Sequence, residues 1–181
     1  MPRDVAEFSD YAAARWGSLF RTAYLLTGDH GLAEDLLQTV LTKCYVAWPR
    51  LRASAAADAY VRKALTNTYI SWRRRKSWGR ERPTDELPEL MAGDDTAHVP
   101  VRQEVLRALE ALPPRQRAVV VLRFYDDLGV EQTASTLGCS AGTVKSQTSD
   151  ALRSLRRILG DDIEVEQAAT RGDRGRRGES L

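Results

Sequence analysis

The chain of 181 residues has few of the features that mark metal sites, disulfide scaffolds or membrane proteins. Its two cysteines, Cys44 and Cys139, lie far apart, and its only histidines are His30 and His98. A zinc site needs clustered Cys or His, so we expect no metal, no cofactor, and two buried or partly buried thiols in a reduced protein. No apolar run is long enough to cross a bilayer, and the N-terminus has early acids in place of an apolar signal segment. We therefore expect a cytoplasmic protein with no membrane partner.

Grouped catalytic side chains are also missing from the sequence. A nuclease or other hydrolase would need clustered carboxylates or a metal site. Asp126 and Asp127 are neighbours that would point apart on a helix, and no histidine lies near them. We predict that the chain is not an enzyme and that it has no catalytic residues.

Alternation of β-branched residues at period two is absent, so the sequence indicates an all-α protein. Apolar stripes predict helices over about residues 4–27, 32–48 and 59–76. Residues 27–31 form a turn between the first two, Pro49 stops the second, and residues 50–58 form a small-residue connection. Helices resume near Val101, and Pro114 suits the first position of the next helix.

Net charge is only +2, but the charges are segregated along the chain. Eight basic residues and one acid lie between Arg62 and Arg82, whereas five acids and no Lys or Arg lie between Thr84 and His98. The longer stretch over residues 77–100 contains three prolines and two glycines beside these acids, which is typical of a linker. We predict two small helical domains, residues 1–78 and 101–160, joined by a flexible acidic linker over 79–100, with a disordered Arg- and Gly-rich tail over 161–181.

Residues 129–157, GVEQTASTLGCSAGTVKSQTSDALRSLRR, predict a helix-turn-helix. Ala134 is small enough for two helices to cross closely, Gly138 suits a turn with positive φ, and Ser140 can cap the second helix, whose Val144 would face the core. A generic two-helix hairpin has the same spacing, but the basic, hydroxyl-rich outer face favours DNA. The candidate contacts to phosphates and base edges are Ser140, Gly142, Thr143, Lys145, Ser146, Ser149 and Arg153, with Arg115 and Arg117 of the preceding helix.

Two helices of the N-terminal half differ in character. Residues 60–78, YVRKALTNTYISWRRRKSW, interleave cations with aromatic rings, as single-stranded DNA binding requires. Tyr69 and Trp72 also follow helical spacing and fit a core equally well, whereas the basic run 73–76 suits phosphate. Residues 33–48, AEDLLQTVLTKCYVAW, carry a polar, partly acidic face that suits a partner helix better than DNA.

The order of GDHGLAEDLLQTVLTKCYVAW, AYVRKALTNTYISWRRRK, the acidic linker and LEALPPRQRAVVVLRFYDDLGVEQTASTLGCSAGTVKSQTSDALRSLRR resembles bacterial RNA polymerase sigma factors of the extracytoplasmic-function (ECF) group, over roughly residues 8–159. The Ala- and Arg-rich composition resembles actinobacterial members. The resemblance implies a sigma factor that binds core RNA polymerase and directs promoter-specific initiation by reading −35 and −10 elements and opening the −10 DNA. A stand-alone helix-turn-helix regulator is the alternative, but it leaves the helix over 32–48 and the acidic linker without a role.

The resemblance also implies roles for individual residues. The helix over 32–48 would bind the β′ clamp helices through Asp35, Leu36, Gln38, Thr39 and Thr42, and the −35-reading domain would meet the β flap. The −10 element would be read and melted through Arg52, Ser54, Arg62, Lys63, Asn67, Arg73, Arg74 and Arg75. Gln147 stands where many members carry a basic residue. Core polymerase and promoter DNA are the expected partners, and whether an anti-sigma factor also binds is left open. The free protein is expected to bind promoter DNA poorly.

Overall fold

The computed structural model describes residues 3–51, 54–75 and 103–160, and these residues form helices joined by short turns. The first group contains α1 (Arg3–Thr27), α2 (His30–Leu51) and α3 (Ser54–Arg74). The second group contains α4 (Gln103–Glu110), α5 (Pro114–Val120), α6 (Val130–Leu137) and α7 (Ala141–Leu159). No strand occurs within the described ranges, which confirms the all-α prediction. The predicted linker and tail lie outside them.

The first group is built on the apolar face of α2. Gly28, with φ of 76°, ends α1, and the Asp29 carboxylate then accepts a hydrogen bond from the Leu32 backbone N–H at 2.8 Å, which caps the start of α2. The buried side of α2 packs against both α1 and α3, with its side chains Ala33, Leu36, Leu37, Val40, Leu41, Cys44 and Trp48. The opposite side of the helix is left for solvent or a partner.

Two helix boundaries differ from the sequence prediction. Pro49 does not stop α2 at Trp48, because α2 continues to Leu51. A proline so close to the end of a helix removes only one backbone hydrogen bond. The last turn is also held against α1 by the Trp48 ring, whose centroid lies 5.4 Å from that of Phe8 and 5.1 Å from that of Tyr11. Most of the predicted connection over 50–58 is also helical, since its alanines are the strongest helix formers and start α3 at Ser54.

The helix-turn-helix prediction is confirmed in detail. Gly138 adopts φ 63° and ψ 40°, the left-handed conformation that ends α6, and the Ser140 hydroxyl accepts a hydrogen bond from the Thr143 backbone N–H at 3.1 Å. Ala134 and Val144 are buried where α6 and α7 meet. Pro114 occupies the first turn of α5, as the sequence predicts.

Helix α5 does not end cleanly but widens into a π-helical turn over Val121–Tyr125. The Asp126 backbone N–H donates to the Val121 carbonyl at 3.0 Å, five residues back, and Asp127 then takes φ of 54°. The two aspartates therefore lie at the end of a wide turn and not along a helix, which corrects the sequence prediction. The wide turn directs the Asp126 side chain toward the first helical group.

The two helical groups pack against each other. Helix α1 contacts α4 and the π-helical turn, and α3 contacts α5 and α6. This packing was not predicted from the sequence, where a flexible linker was expected to leave the halves independent.

The turn of the helix-turn-helix gives a test with a matched control. A Cβ at Gly138 would meet no atom within 4 Å, so Gly138→Ala should destabilise the protein only through its left-handed backbone, by about 1–2 kcal/mol. Gly142 is helical and faces open space except for the Ser140 hydroxyl at 3.8 Å, so Gly142→Ala should be neutral or stabilising by up to about 1 kcal/mol. Urea unfolding measures both, and equal effects would contradict the assigned turn.

Candidate nucleic-acid and polymerase interface

Helix α7 has a clean division between its two faces. Val144, Ala151 and Leu155 are buried on one side. The opposite side is exposed at Gly142, Lys145, Ser146, Ser149 and Arg153, with exposed Ser140 at its N-cap and half-buried Thr143 beside it. The buried face fixes the rotation of the helix, so the predicted −35 residues of α7 and its N-cap form one surface. Arg153 Nη1 lies 3.2 Å from Asp150 Oδ1 in an exposed ion pair. Such pairs are weak, so a phosphate could take the place of Asp150 beside Arg153.

Helix α2 presents a second surface, in the first helical group. Asp35, Gln38 and Thr42 are exposed and Thr39 is half-buried, all on the side away from the core. Leu36 differs, since it is fully buried on the opposite side of α2. Its predicted contact with the polymerase is therefore wrong for this arrangement, because i and i+1 positions on a helix face different directions.

An apolar groove continues the α2 surface and was missed by sequence reasoning. It is lined by Phe8, Trp16, Gln38, Leu41, Thr42 and Tyr45. Trp16 is 39% exposed, Tyr45 46% and Val46 77%. Val46 lies eleven residues, or about three helical turns, after Asp35 and therefore on the same face of α2. A helical projection of the sequence could have shown that Val46 is exposed beside Asp35.

Helix α3 carries the predicted −10 residues. Lys63, Asn67, Arg73, Arg74 and Arg75 are exposed, and Arg62 is partly buried. Arg52 and the side chain of Ser54 lie outside the described part of the structure. Tyr69 is buried in the core and Trp72 is half-buried, so the core alternative holds for Tyr69.

The start of α3 is tied to α1 by a small polar cluster. The Asp58 carboxylate accepts hydrogen bonds from the Tyr11 hydroxyl at 2.9 Å and from Arg15 Nη2 at 2.7 Å. Burial, followed by the hydrogen bond to Asp58, raises the pKa of Tyr11. The cluster fixes the direction in which α3 leaves the predicted −10 connection.

Arg117 does not lie on the predicted DNA surface. Its side chain is 2% exposed, and its Nε donates to the Leu25 backbone carbonyl at 2.7 Å. Burial lowers the pKa of Arg117, while the nearby Tyr69 and the charge of Glu110 oppose that fall. In this arrangement Arg117 cannot contact DNA, which corrects its assignment to the −35 surface. Arg115, two residues earlier, is half-buried and remains a candidate.

Asp126 forms a second polar contact between the two groups. The Thr22 hydroxyl donates to Asp126 Oδ1 at 3.0 Å, and Arg62 Nε lies 3.6 Å from Oδ2. Burial raises the pKa of Asp126, and both the Thr22 hydrogen bond and the Arg62 charge oppose that rise. Arg62, a predicted −10 residue, is thus already paired with a carboxylate.

The two cysteines differ in burial. Cys44 is fully buried, and burial raises the pKa of its thiol to about 11. Cys139 is partly buried. Among residues 3–51, 54–75 and 103–160, no three His, Cys, Asp or Glu side chains are grouped as metal ligands. No helix within those ranges is both long and apolar enough to span a bilayer.

The described fold contains a helix-turn-helix whose second helix has an exposed basic, hydroxyl-rich face, which is an arrangement typical of DNA-binding proteins. The sigma-70 region 2 profile matches residues 17–79, and the sigma-70 region 4 profile matches residues 102–155. The RNA polymerase sigma-E factor of Streptomyces coelicolor is 41% identical over 156 residues, which are 86% of this chain and 88% of that protein. The ECF RNA polymerase sigma factor SigM of Mycobacterium tuberculosis is 32% identical over 143 residues, 78% of this chain and 71% of that protein.

One solved structure shares the fold. The sigma factor RpoE from Bartonella quintana, crystallised with the anti-sigma factor NepR, aligns with a TM-score of 0.68 at 24% identity, over 86% of this chain and 98% of that chain. Taken with the profiles and the relatives, the chain belongs to the ECF group of sigma-70-type RNA polymerase sigma factors. Its function is promoter-specific transcription initiation, and the stand-alone regulator is not favoured.

The raised pKa of Asp126 predicts a pH dependence of stability. A carboxyl whose pKa is higher in the folded state binds its proton more tightly there, so folded-state stability falls as pH rises above the ordinary value of 3.8. Asp126→Asn keeps an oxygen that accepts from Thr22 but cannot ionise. Relative to the parent protein, this variant should therefore become more stable in urea unfolding as pH rises above 3.8. A pH profile of Asp126→Asn that runs parallel to that of the parent would contradict the assignment.

Proposed function

We propose that the chain binds core RNA polymerase through the exposed face of α2 and reads the promoter through α7 and α3. The observation that supports this most directly is the division of α7 into a buried apolar face and an exposed polar face. The same division recurs in α2 with acidic and amide side chains in place of cations. One helix is therefore suited to an anion and the other to a protein surface.

The α2 face is proposed to dock the β′ clamp helices. Asp35, Gln38, Thr39 and Thr42 supply a charge and hydrogen-bonding groups for a partner helix. The adjoining groove at Trp16 and Tyr45 supplies the apolar contact that such an interface needs at its centre. Charge fixes orientation here, while aromatic burial supplies affinity.

The α7 face is proposed to enter the major groove of the −35 element, and its domain to meet the β flap. The small side chains at Gly142, Ser146 and Ser149 permit close approach of the helix to base edges. Lys145 and Arg153 supply the cations for phosphate or guanine. The Ser140 cap and the N-terminus of α7 favour an anion in addition.

Helix α3 is proposed to meet the −10 DNA as it opens. Lys63, Asn67, Arg73 and Arg74 are exposed on α3, and Arg75 directly follows it. Together they present cations and an amide, which suits a backbone whose bases are unpaired. Arg52, Ser54 and Arg62 complete the proposed −10 set. The chain is further proposed to act in the cytoplasm without catalytic chemistry, with residues 1–78 and 101–160 as its working domains and 79–100 as their linker.

Run-off transcription with purified core polymerase across a genomic promoter library tests the function. Transcripts that start at a defined distance from shared −35 and −10 sequences are the expected result. Sequence-specific DNA binding by the isolated chain, with no dependence of transcription on it, would favour the stand-alone regulator.

Asp35→Arg should weaken core binding because it reverses the charge at the proposed contact. The loss should reach a few kcal/mol, or more than about tenfold in affinity, if the site is desolvated. Glu131→Arg makes the same reversal on exposed α6 in the other helical group and should leave core affinity unchanged. Fluorescence titration of labelled protein with core polymerase measures both. An unaltered affinity for Asp35→Arg, with helicity intact by circular dichroism, would remove α2 from the interface.

Lys145→Ala and Arg153→Ala should separate phosphate contacts from base contacts at the −35 element. A lost phosphate contact lowers the salt slope of binding by about one with sequence preference kept, whereas a lost base contact costs about 1–3 kcal/mol and relaxes one position. Arg107→Ala removes an exposed cation from α4 and serves as the control. The measurement is binding of the polymerase-bound protein to promoter DNA over a range of salt. If neither variant differs from the control, the recognition face is misplaced.

A further inference from the structure

The exposed side of α3 has cations at its two ends and none along its middle. Four exposed residues recur at helical spacing and therefore lie along one side of this helix, namely Lys63, Asn67, Ser71 and Arg74. Lys63 and Arg74 are separated by about 16 Å along the helix axis. The phosphates of one strand repeat about every 3.4 Å in a duplex, so a strand along this side would place several of them beside uncharged Asn67 and Ser71.

Lys43 of α2 lies at the edge of that uncharged stretch. Its Nζ donates a hydrogen bond to the Thr68 hydroxyl of α3, at 3.4 Å. Thr68 follows Ala64 by four residues and precedes Ser71 by three, so these three residues are neighbours on the surface of α3. The neighbouring helix thus places a cation where α3 itself has none.

The direction of Lys43 separates it from the face of α2 that is proposed to bind polymerase. Lys43 follows Thr42 by one residue, which turns it by about 100° around the helix. Tyr45 comes two residues after Lys43 and lines the groove beside Phe8 of α1, on nearly the opposite side of α2. Lys43 therefore belongs to the edge of α2 that meets α3.

The Lys43 ammonium retains donors for a further acceptor. A lysine ammonium has three donors, and its bond to Thr68, at 3.4 Å, is longer than the usual range of about 2.7–3.2 Å. The residue is exposed, and no carboxylate forms an ion pair with it among residues 3–51, 54–75 and 103–160. A phosphate would add an attraction between charges that the neutral Thr68 hydroxyl does not provide.

We propose that Lys43 contacts the phosphate backbone of the opened −10 strand, between the positions that Lys63 and Arg74 contact. This assignment rests on the proposed function, in which α3 meets the −10 DNA. The surface for the strand then includes the edge of α2 as well as α3. Thr68 acts as a positioning residue, since its hydroxyl holds the ammonium beside the uncharged stretch. A contact to phosphate adds affinity and no sequence preference.

Lys43→Gln tests the contact, because it removes the charge and keeps a side chain with a hydrogen-bond donor. Lys43→Arg keeps the charge, and Arg107→Gln is the matched control that removes an exposed cation from α4. The probe is a fluorescein-labelled random-sequence single strand of about 20 nucleotides, since phosphate contacts do not depend on sequence. Binding of this strand to the full chain is measured by fluorescence anisotropy over a range of salt.

Lys43→Gln should bind the strand more weakly than the parent protein does. The slope of its log affinity against log salt should be smaller by about 0.7, the change expected for one phosphate contact on a single strand. Lys43→Arg and Arg107→Gln should keep the slope of the parent protein. A slope of Lys43→Gln equal to that of the parent, with helicity intact by circular dichroism, would overturn the proposal.

A second measurement places the contact along the strand. The polymerase-bound protein is titrated with a promoter in which a methylphosphonate replaces one phosphate of the −10 strand at a time and so removes one charge. Each lysine or arginine variant should become insensitive to the substitution at the phosphate that it no longer contacts. The position for Lys43→Gln should lie between those for Lys63→Gln and Arg74→Gln, and a position outside that interval would overturn the proposal.

Titration with core polymerase separates this contact from the proposed polymerase face. Lys43→Gln should leave the affinity for core unchanged, whereas Asp35→Arg should lower it. A loss of core affinity with an unchanged salt slope would assign Lys43 to the polymerase interface and overturn the proposal. Failure of run-off transcription would overturn the proposed function, whereas an altered salt slope would still assign Lys43 to a surface for single strands.

Discussion

The end of helix α1 is the point on which the arrangement of the two helical groups depends. The Leu25 carbonyl lies in the last turn, where no backbone donor of α1 remains for it, and the Arg117 guanidinium provides one from 92 residues away. Burial lowers the pKa of Arg117, and the nearby Tyr69 and Glu110 oppose that fall. Arg117 therefore links α5 to the end of α1 by a hydrogen bond and lies close to α3 and α4. Its Nη2 atom is buried without a protein hydrogen-bond partner, so this contact satisfies the guanidinium only in part.

The functional surfaces, in contrast, depend on packing within each group. Helix α7 is rotated by Val144, Ala151 and Leu155, and α2 by its own buried face. A surface on a helix inherits the rigidity of the core behind it, which loops do not provide. The faces of α7 and α2 that are proposed to meet DNA and polymerase are therefore positioned independently, and rearranging the groups changes the separation between them.

Local signals explain which features the sequence predicts. Gly138 and Ser140 act through their own backbone and nearest neighbours, so the turn and the cap of the helix-turn-helix follow from residue type alone. Pro49 and the alanines of residues 50–58 led to wrong helix boundaries. Pro49 lies so close to the end of α2 that the helix continues through it. The alanines have a high helix propensity and form the start of α3 in place of a connection. The burial of Leu36 follows from helical geometry, because its neighbour Asp35 lies on the exposed face of α2. The family resemblance led instead to a predicted contact between Leu36 and the polymerase. Arg117 could not be predicted, since only a contact across 92 residues shows that this arginine is buried.

The contact between the groups combines an apolar core that runs through both of them with two buried polar side chains, Arg117 and Asp126. Separating the groups would expose apolar surface to water, at a free-energy cost proportional to the area. At Arg117 and Asp126 the cost is smaller, because burial opposes the charged form of each side chain and water would replace their protein partners. The apolar surface therefore supplies most of the free energy of the contact, and the hydrogen bonds of Arg117 and Asp126 fix the relative orientation of the groups.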